Sequence, residues 1–134
     1  MGKVGVFLFD GFQEMEFWYP VLRLREIGAD VVVIGVAGKE VASSVLDYPV
    51  VPNVAMADTA PGDYAALIVP GGRVERLAED AAFRAFLVDA AACRVRLAAA
   101  SQAMSLVAGF EAIIAPTTDD VPRMTRTLIQ ELAS

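Results

Sequence analysis

Residues 3–35 decide the fold and read KVGVFLFDGFQEMEFWYPVLRLREIGADVVVIG. The stretch opens with a short apolar run over residues 3–9, which is typical of a strand that is buried on both faces. Apolar residues then recur at helical spacing from Glu14 to Ile27, and Gly28 stands where a helix C-cap is expected. A second apolar run, residues 31–35, follows directly. The pattern predicts a strand, a helix and a second, parallel strand.

The rest of the chain continues this alternation. Further strands are predicted at residues 64–69, 95–100 and 112–115, and helices at residues 74–92, 102–108 and 121–132. Residues 41–54 contain two prolines among β-branched residues and are interpreted as edge strands or a hairpin. Alternating strands and helices indicate an α/β fold, with a mostly parallel sheet and helices on both faces.

Size and composition limit the function classes. The chain has 134 residues, 56% of them hydrophobic and 21% charged, which predicts a single domain over residues 1–134 with a large core. Its apolar runs are interrupted before the ~18 residues that a spanning helix needs, and no secretion signal is visible, so we expect a cytoplasmic protein without membrane contact. A net charge of −6 argues against a nucleic-acid partner.

Histidine is absent and Cys93 is the single cysteine. An internal disulfide is therefore excluded, as are Ser-His-Asp and Cys-His catalysis within the chain, and no metal site is predicted. The chain also contains no phosphate-binding loop and no dinucleotide-binding glycine motif after a strand. We therefore predict no cofactor.

Polar or glycine-rich segments follow three of the predicted strands, at residues 10–16, 70–72 and 101–102. Ligands bind beyond the carboxyl ends of parallel strands, so these segments are expected to share one rim. Gly71 and Gly72 leave backbone amides unshielded, as an anion or oxyanion site requires, although a tight turn explains them equally well.

Ser101 lies between small residues at a strand-to-helix junction, which is the form of a nucleophile elbow. The same serine could instead be an ordinary helix N-cap. Glu16 lies in the first turn of its helix, where the helix dipole favours a carboxylate whether or not it has a chemical role.

The order of elements and three motifs resemble the ThiJ/PfpI superfamily, which is related to the class I glutamine amidotransferases. The motifs are DGFQEME at residues 10–16, DYAALIVPGG at residues 63–72 and APTTDDVP at residues 115–122. The resemblance implies a flavodoxin-like three-layer sandwich, commonly a homodimer. It also implies an elbow cysteine paired with a glutamate from the first helix, in proteins that include peptidases, amidases, glyoxalase- or deglycase-like enzymes, chaperones and redox sensors.

The family glutamate corresponds to Glu16, and the oxyanion glycine to Gly71 or Gly72. An ungapped elbow places Ser101 at the nucleophile and Gln102 where many members have histidine, whereas a second register places Ala99 at the nucleophile. Neither register supplies a cysteine. The stretch that the family usually carries between the elbow helix and the last strand is also much shorter here.

These departures lead to two hypotheses. The first is a family member without cysteine-based catalysis that acts as a small-molecule-binding or scaffolding protein. The alternative is an intracellular hydrolase, amidase or glyoxalase/deglycase-like enzyme, in which Ser101 is the nucleophile, Glu16 handles the proton, and amides near Gly71, Gly72 and Gln102 receive the oxyanion. A homodimer is expected in either case, with Phe17, Trp18 and Tyr19 as candidate contacts.

Overall fold

The computed structural model describes residues 2–134, so Met1, the first residue of the predicted domain, lies outside the described residues. Eight strands are present in residues 2–134: β1 Lys3–Leu8, β2 Val31–Gly35, β3 Ala42–Ser43, β4 Pro49–Val50, β5 Val54–Ala55, β6 Tyr64–Val69, β7 Arg96–Ala100 and β8 Ala112–Ala115. The same residues form four α-helices: α1 Glu14–Glu26, α2 Glu75–Glu79, α3 Ala81–Ala92 and α4 Val121–Ala133. Short 3-10 helices include Ser101–Val107 after β7 and Thr118–Asp120 before α4.

Six strands form the central sheet in the order β5-β2-β1-β6-β7-β8, and every neighbouring pair is parallel. The chain moves outward in one direction from β1 to β2 and in the other from β6 to β7. Right-handed crossovers therefore place α1 and α3 on opposite faces of the sheet, and α4 packs beside α1. The flavodoxin-like α/β fold is thus confirmed.

Continuous apolar sequence explains the central strands. From Val4 to Leu8 every side chain of β1 is buried, and most of β6 and β7 is buried as well, because helices cover both faces of these strands. The region of residues 41–54, interpreted as edge strands or a hairpin, contains both. β3 and β4 pair antiparallel as a separate hairpin, while β5 is the edge strand next to β2.

Three details differ from the sequence-based expectations. The helix predicted over residues 74–92 is two helices, because Asp80 has extended backbone and its carboxylate accepts the N–H of Phe83 at 3.0 Å as an N-cap. The helix predicted over residues 102–108 is the 3-10 helix Ser101–Val107. Phe17, a candidate dimer contact, is a core residue with no exposed surface, whereas Trp18 and Tyr19 are half-buried.

Within residues 2–134 we find no helix that is both long enough and apolar enough to cross a membrane.

Candidate active site

The site lies at the carboxyl ends of four neighbouring strands, β1, β6, β7 and β8. Parallel strands end at the same rim of a sheet, so the segments that follow them are brought together although they are far apart in sequence. Glu16 of α1 is at the centre of this rim. Its side chain is only 1% exposed.

Local sequence holds the start of α1 in place. Gln13 is the N-cap, and its side-chain carbonyl accepts the N–H of Glu16 at 2.7 Å. The backbone N–H of Gln13 in turn donates to the carbonyl of Gly71 at 3.0 Å, which ties the helix start to the loop after β6. These bonds direct the Glu16 side chain into the rim.

Three donors surround the Glu16 carboxylate. The hydroxyls of Ser101 and Thr118 both donate to Oε2, at 2.5 and 2.7 Å, and the amide of Gly71 donates to Oε1 at 2.8 Å. Donors on both oxygens are the arrangement that an ionised carboxylate requires in a buried position. The protein itself therefore occupies three of the roughly four acceptor positions of the carboxylate.

Ser101 follows the last residue of β7 and has a φ of +50°, in the left-handed region that residues other than glycine seldom adopt. Ala99 lies inside β7, where it pairs with Val69 and Ile114 and is completely buried. The structure therefore has its strained strand-to-helix turn at Ser101, which is the first of the two elbow registers. The Ser101 hydroxyl donates a hydrogen bond to Glu16, and the side chain does not cap the following 3-10 helix.

The two glycines have distinct spatial requirements. A Cβ at Gly71 would come within 2.5 Å of Glu16 Oε1 and 2.7 Å of Gln102 Oε1, so only glycine allows this close approach. Gly72 has a φ of +115°, and its amide donates to Gln102 Oε1 at 3.0 Å. Two of the three predicted oxyanion positions, the amides of Gly71 and Gly72, are thus bonded to side chains of the chain itself, and the third residue, Gln102, supplies the acceptor for one of them.

Thr118 is the site residue that sequence reasoning missed. The sequence around it indicated helix-capping chemistry, and that is present: Asp120 accepts the backbone N–H and the hydroxyl of Thr117, at 3.1 and 2.9 Å. Thr118 points the other way, to Glu16. The segment that contains it follows the last strand of the parallel sheet, and this was a signal that the segment belongs to the same rim, although it does not single out Thr118.

Glu14 makes a different contact, although it lies only two residues before Glu16. Its carboxylate accepts the N–H of Leu46 at 2.9 Å, at the tip of the hairpin formed by β3 and β4. Partial burial of Glu14 opposes its ionisation, but hydrogen bonds from Ser44 and from the backbone amides of Glu14 and Leu46 outweigh that effect, and the pKa of Glu14 is lowered. Glu14 therefore anchors the hairpin to the start of α1.

Cys93 is remote from this rim. It is exposed at the C-cap of α3, just before β7 begins, and therefore lies near the amino ends of the strands. Histidine is absent, so the titratable side chain in the hydrogen-bonded cluster around Ser101 is Glu16.

Comparison with known proteins identifies the family. The model of the DJ-1/PfpI family matches residues 2–129, which is nearly the whole chain. The protein belongs to the DJ-1/PfpI family. This membership confirms the resemblance to the ThiJ/PfpI superfamily.

Individual family members are distant in sequence but close in fold. The chain superposes on Drosophila melanogaster DJ-1beta with a TM-score of 0.91 and 20% identity, covering 98% of this chain and 90% of that one. A DJ-1 superfamily protein from Salmonella typhimurium gives a TM-score of 0.89 at 21% identity, with coverages of 99% and 91%. At these identities the likeness establishes the fold alone.

Two curated relatives match over part of the chain. An uncharacterised protein of Archaeoglobus fulgidus is 39% identical over 62 residues, which are 46% of this chain and 36% of the relative. A protein of Thermococcus kodakarensis named as a deglycase is 33% identical over 75 residues, 56% of this chain and 45% of the relative. The matched stretches thus span less than half the length of either relative.

Proposed function

We propose that this DJ-1/PfpI-family protein acts as a small-molecule-binding or scaffolding protein and does not use cysteine-based catalysis. The strained turn after β7 is at Ser101, which supports the alignment that puts Ser101 in place of the family's elbow cysteine, and Cys93 lies near the opposite rim. A neutral serine hydroxyl is a weak nucleophile unless a nearby base removes its proton. The proposal therefore depends on whether Glu16 and its surroundings can serve as that base.

The state of the Gly71 and Gly72 amides is the observation that carries the proposal. Gly71 donates to Glu16 at 2.8 Å, and Gly72 donates to Gln102 at 3.0 Å. An oxyanion hole must present free donors to the oxygen on which charge develops. To use the Gly71 and Gly72 amides, a substrate would first have to displace the side chains of Glu16 and Gln102.

The pattern of bonds around Glu16 favours a structural role. One carboxylate joins α1, which follows β1, to Gly71 after β6, Ser101 after β7 and Thr118 after β8. These four strands are neighbours, so Glu16 cross-links the loops that follow four of the six strands of the sheet. A rigid rim of this kind suits a protein that presents a fixed surface.

One observation favours the alternative, a Ser101-dependent hydrolase, amidase or glyoxalase/deglycase-like enzyme. The positive φ of Ser101 is a costly conformation of the kind that nucleophile elbows adopt, and the 2.5 Å bond directs its proton to Glu16. In that mechanism Ser101 Oγ attacks a carbonyl carbon, its proton passes to Glu16 Oε2, and the exposed Gln102 side chain swings away to free the Gly72 amide. The deglycase name of the Thermococcus relative agrees with this class of reaction.

Turnover assays separate the two functions. We expect the purified protein to leave methylglyoxal and a panel of small esters and amides unchanged above the buffer rate. Ser101→Ala and Glu16→Gln test the elbow, and Ser105→Ala is the matched control, because the Ser105 hydroxyl donates to the carbonyl of Gln102 on the exposed side. Turnover that Ser101→Ala abolishes and Ser105→Ala preserves would establish the enzyme and refute the binding function.

We also propose that the protein is a homodimer. Apolar side chains at one side of α1 stay exposed: Met15 is 43% exposed and Leu22 57%, with the half-buried Trp18 between them at helical spacing. The hairpin tip anchored by Glu14 adds the exposed Leu46 and Tyr48. A second copy of the chain would remove this surface from water.

A further inference from the structure

A cavity of about 300 Å³ lies between α1 and α4, on the helix layer that covers one face of the sheet. It is lined by two residues of α1 and four of α4: Tyr19, Arg23, Pro122, Arg126, Ile129 and Gln130. The volume of this α1–α4 cavity lies at the lower end of the range that is usual for small-molecule sites. Neither the family match nor the curated relatives assign a role to it.

Helix geometry explains why these side chains meet. Both helices follow parallel strands and pack side by side, so they run in the same direction away from the carboxyl rim. Tyr19 and Arg23 are four residues apart, and Pro122, Arg126 and Gln130 repeat the same spacing, so each helix presents one stripe. The bond from Thr118 to Glu16 fixes the two helix starts relative to each other. Arg23 of α1 and Arg126 of α4 consequently both border the cavity.

The charge of the lining is one-sided. Two guanidinium groups border the cavity, and no carboxylate is among its lining residues. Arg23 donates to Glu26 at 2.6 Å on the exposed side of α1. Arg126, in contrast, forms no ion pair within residues 2–134, although Arg123 one turn earlier is paired with Asp120 at 3.0 Å. Both guanidinium groups thus border a cavity that has no lining carboxylate, in a chain whose net charge is −6.

We propose that the α1–α4 cavity binds a small organic anion, a carboxylate or a phosphate monoester that carries a compact apolar body. The two guanidinium groups supply planar, paired donors that match either anion, and the Tyr19 hydroxyl and Gln130 amide add neutral donors. Pro122, Ile129 and the Tyr19 ring provide apolar surface for the rest of the molecule. The site is separate from the elbow, and it would give the proposed binding function its ligand class.

Calorimetric titration of the full chain tests the site, with phenyl phosphate, benzoate and the neutral phenol as probes at low ionic strength. We expect saturable binding of one or both anions with a dissociation constant below about 1 mM, that is, a standard free energy of at least about −4 kcal/mol. Phenol should not bind, because it lacks the charge. The comparison of phosphate with carboxylate identifies the preferred anion.

Two variants locate the binding. Arg126→Gln should weaken the preferred anion at least about tenfold, which is the effect of losing one charge-assisted contact. Arg123→Gln is the matched control on the same helix and should change the affinity less than about twofold. Arg126 is exposed, so its variant is expected to fold; unchanged circular dichroism verifies this, and Arg23→Gln repeats the test from α1.

If neither anion binds at about 10 mM, which is 10-fold the expected dissociation constant, the proposal is overturned. Equal weakening by Arg126→Gln and Arg123→Gln would also overturn it, since that result indicates a general surface charge effect. Ser101→Ala should leave anion binding intact. Turnover at the elbow and binding in the cavity therefore succeed or fail independently.

Discussion

Replacing the Glu16 carboxylate should destabilise the fold by an amount that the geometry of the rim sets. In Glu16→Leu the amide of Gly71 and the hydroxyls of Ser101 and Thr118 lose their acceptor together. A buried donor left without a partner costs about 1–3 kcal/mol, and the full value applies to the buried Gly71 amide. The two hydroxyls are partly accessible and can turn to water, so each adds less. We expect a total loss of about 3–5 kcal/mol in the free energy of unfolding.

Glu16→Gln keeps most of the network and should cost less. The side-chain carbonyl of the glutamine can still accept the Gly71 amide, while its NH₂ group donates to the hydroxyls of Ser101 and Thr118, which rotate to accept. What is lost is the charge assistance, which is worth about 1–2 kcal/mol in total. Hydrogen bonding alone therefore predicts that the free energy of unfolding decreases from wild type to Glu16→Gln and further to Glu16→Leu.

Urea unfolding, followed by far-ultraviolet circular dichroism and by Trp18 fluorescence, measures these differences. With a slope of about 1.5–2 kcal/mol per molar, the midpoint of Glu16→Leu should fall by about 2 M. The protein concentration is kept constant, because a dimer makes the midpoint depend on it. Glu14→Gln, in the same helical turn, is the control and should stay within about 1 kcal/mol of wild type.

A Glu16→Leu midpoint within about 0.5 M of wild type would refute this reasoning. A variant more stable than wild type would be still more informative. It would show that the buried charge is retained at the expense of stability, as at many catalytic sites, and would favour the Ser101-dependent enzyme.

Three further outcomes are expected. The pKa of Glu14 is lowered in the folded protein, so its contribution to the free energy of unfolding is present above the ordinary glutamate pKa and is lost as the pH falls through the folded-state pKa. The stability of Glu14→Gln should therefore fall less steeply with pH below about 4.5 than that of wild type. Burial raises the pKa of Tyr64, so its contribution is complete below about pH 10 and is lost as the pH rises through the folded value; Tyr64→Phe should flatten the loss of stability in alkaline melts. Light scattering at micromolar concentration should give a dimer mass for wild type and a smaller mass for a Met15→Glu, Leu22→Glu double variant, and a monomeric wild type would contradict the proposed interface.

Much of the fold is predictable because central parallel strands leave a simple signature. The bounds of β2, β6 and β8 coincide with the apolar runs at residues 31–35, 64–69 and 112–115. The central strand β6 needs apolar residues because both of its faces are covered, whereas β8 is an edge strand and its Ile114 is 46% exposed. The break at Asp80 was missed for a related reason. Helical periodicity continues through Leu77 and Phe83 on either side of it, and the N-cap role of the aspartate is local.

The candidate site was harder to predict, because its bonds join distant residues. Glu16 and Thr118 are 102 residues apart, and nothing local to Thr118 distinguishes it from its capping neighbour Thr117. The elbow register was ambiguous because an ungapped match from the strand into the helix places Ser101 at the nucleophile, whereas a match on Ala108-Gly109 at the helix end places Ala99 there. Pairing of Ala100 with Ala115 sets where β7 ends, and that long-range constraint places the turn at Ser101.

The positive φ of Ser101 can be reconciled with either function, but the two uses make different demands on the same atoms. A nucleophile needs a base that accepts its hydrogen bond and an oxyanion site with free donors. A cross-link needs every donor and acceptor satisfied, because an unsatisfied polar group in a buried rim is destabilising. The Ser101–Glu16 bond serves either use, whereas the engaged amides of Gly71 and Gly72 agree with the second demand. The strained turn brings the Ser101 hydroxyl to the carboxylate that joins four neighbouring strand ends, and this cross-link is the structural role that we propose for it.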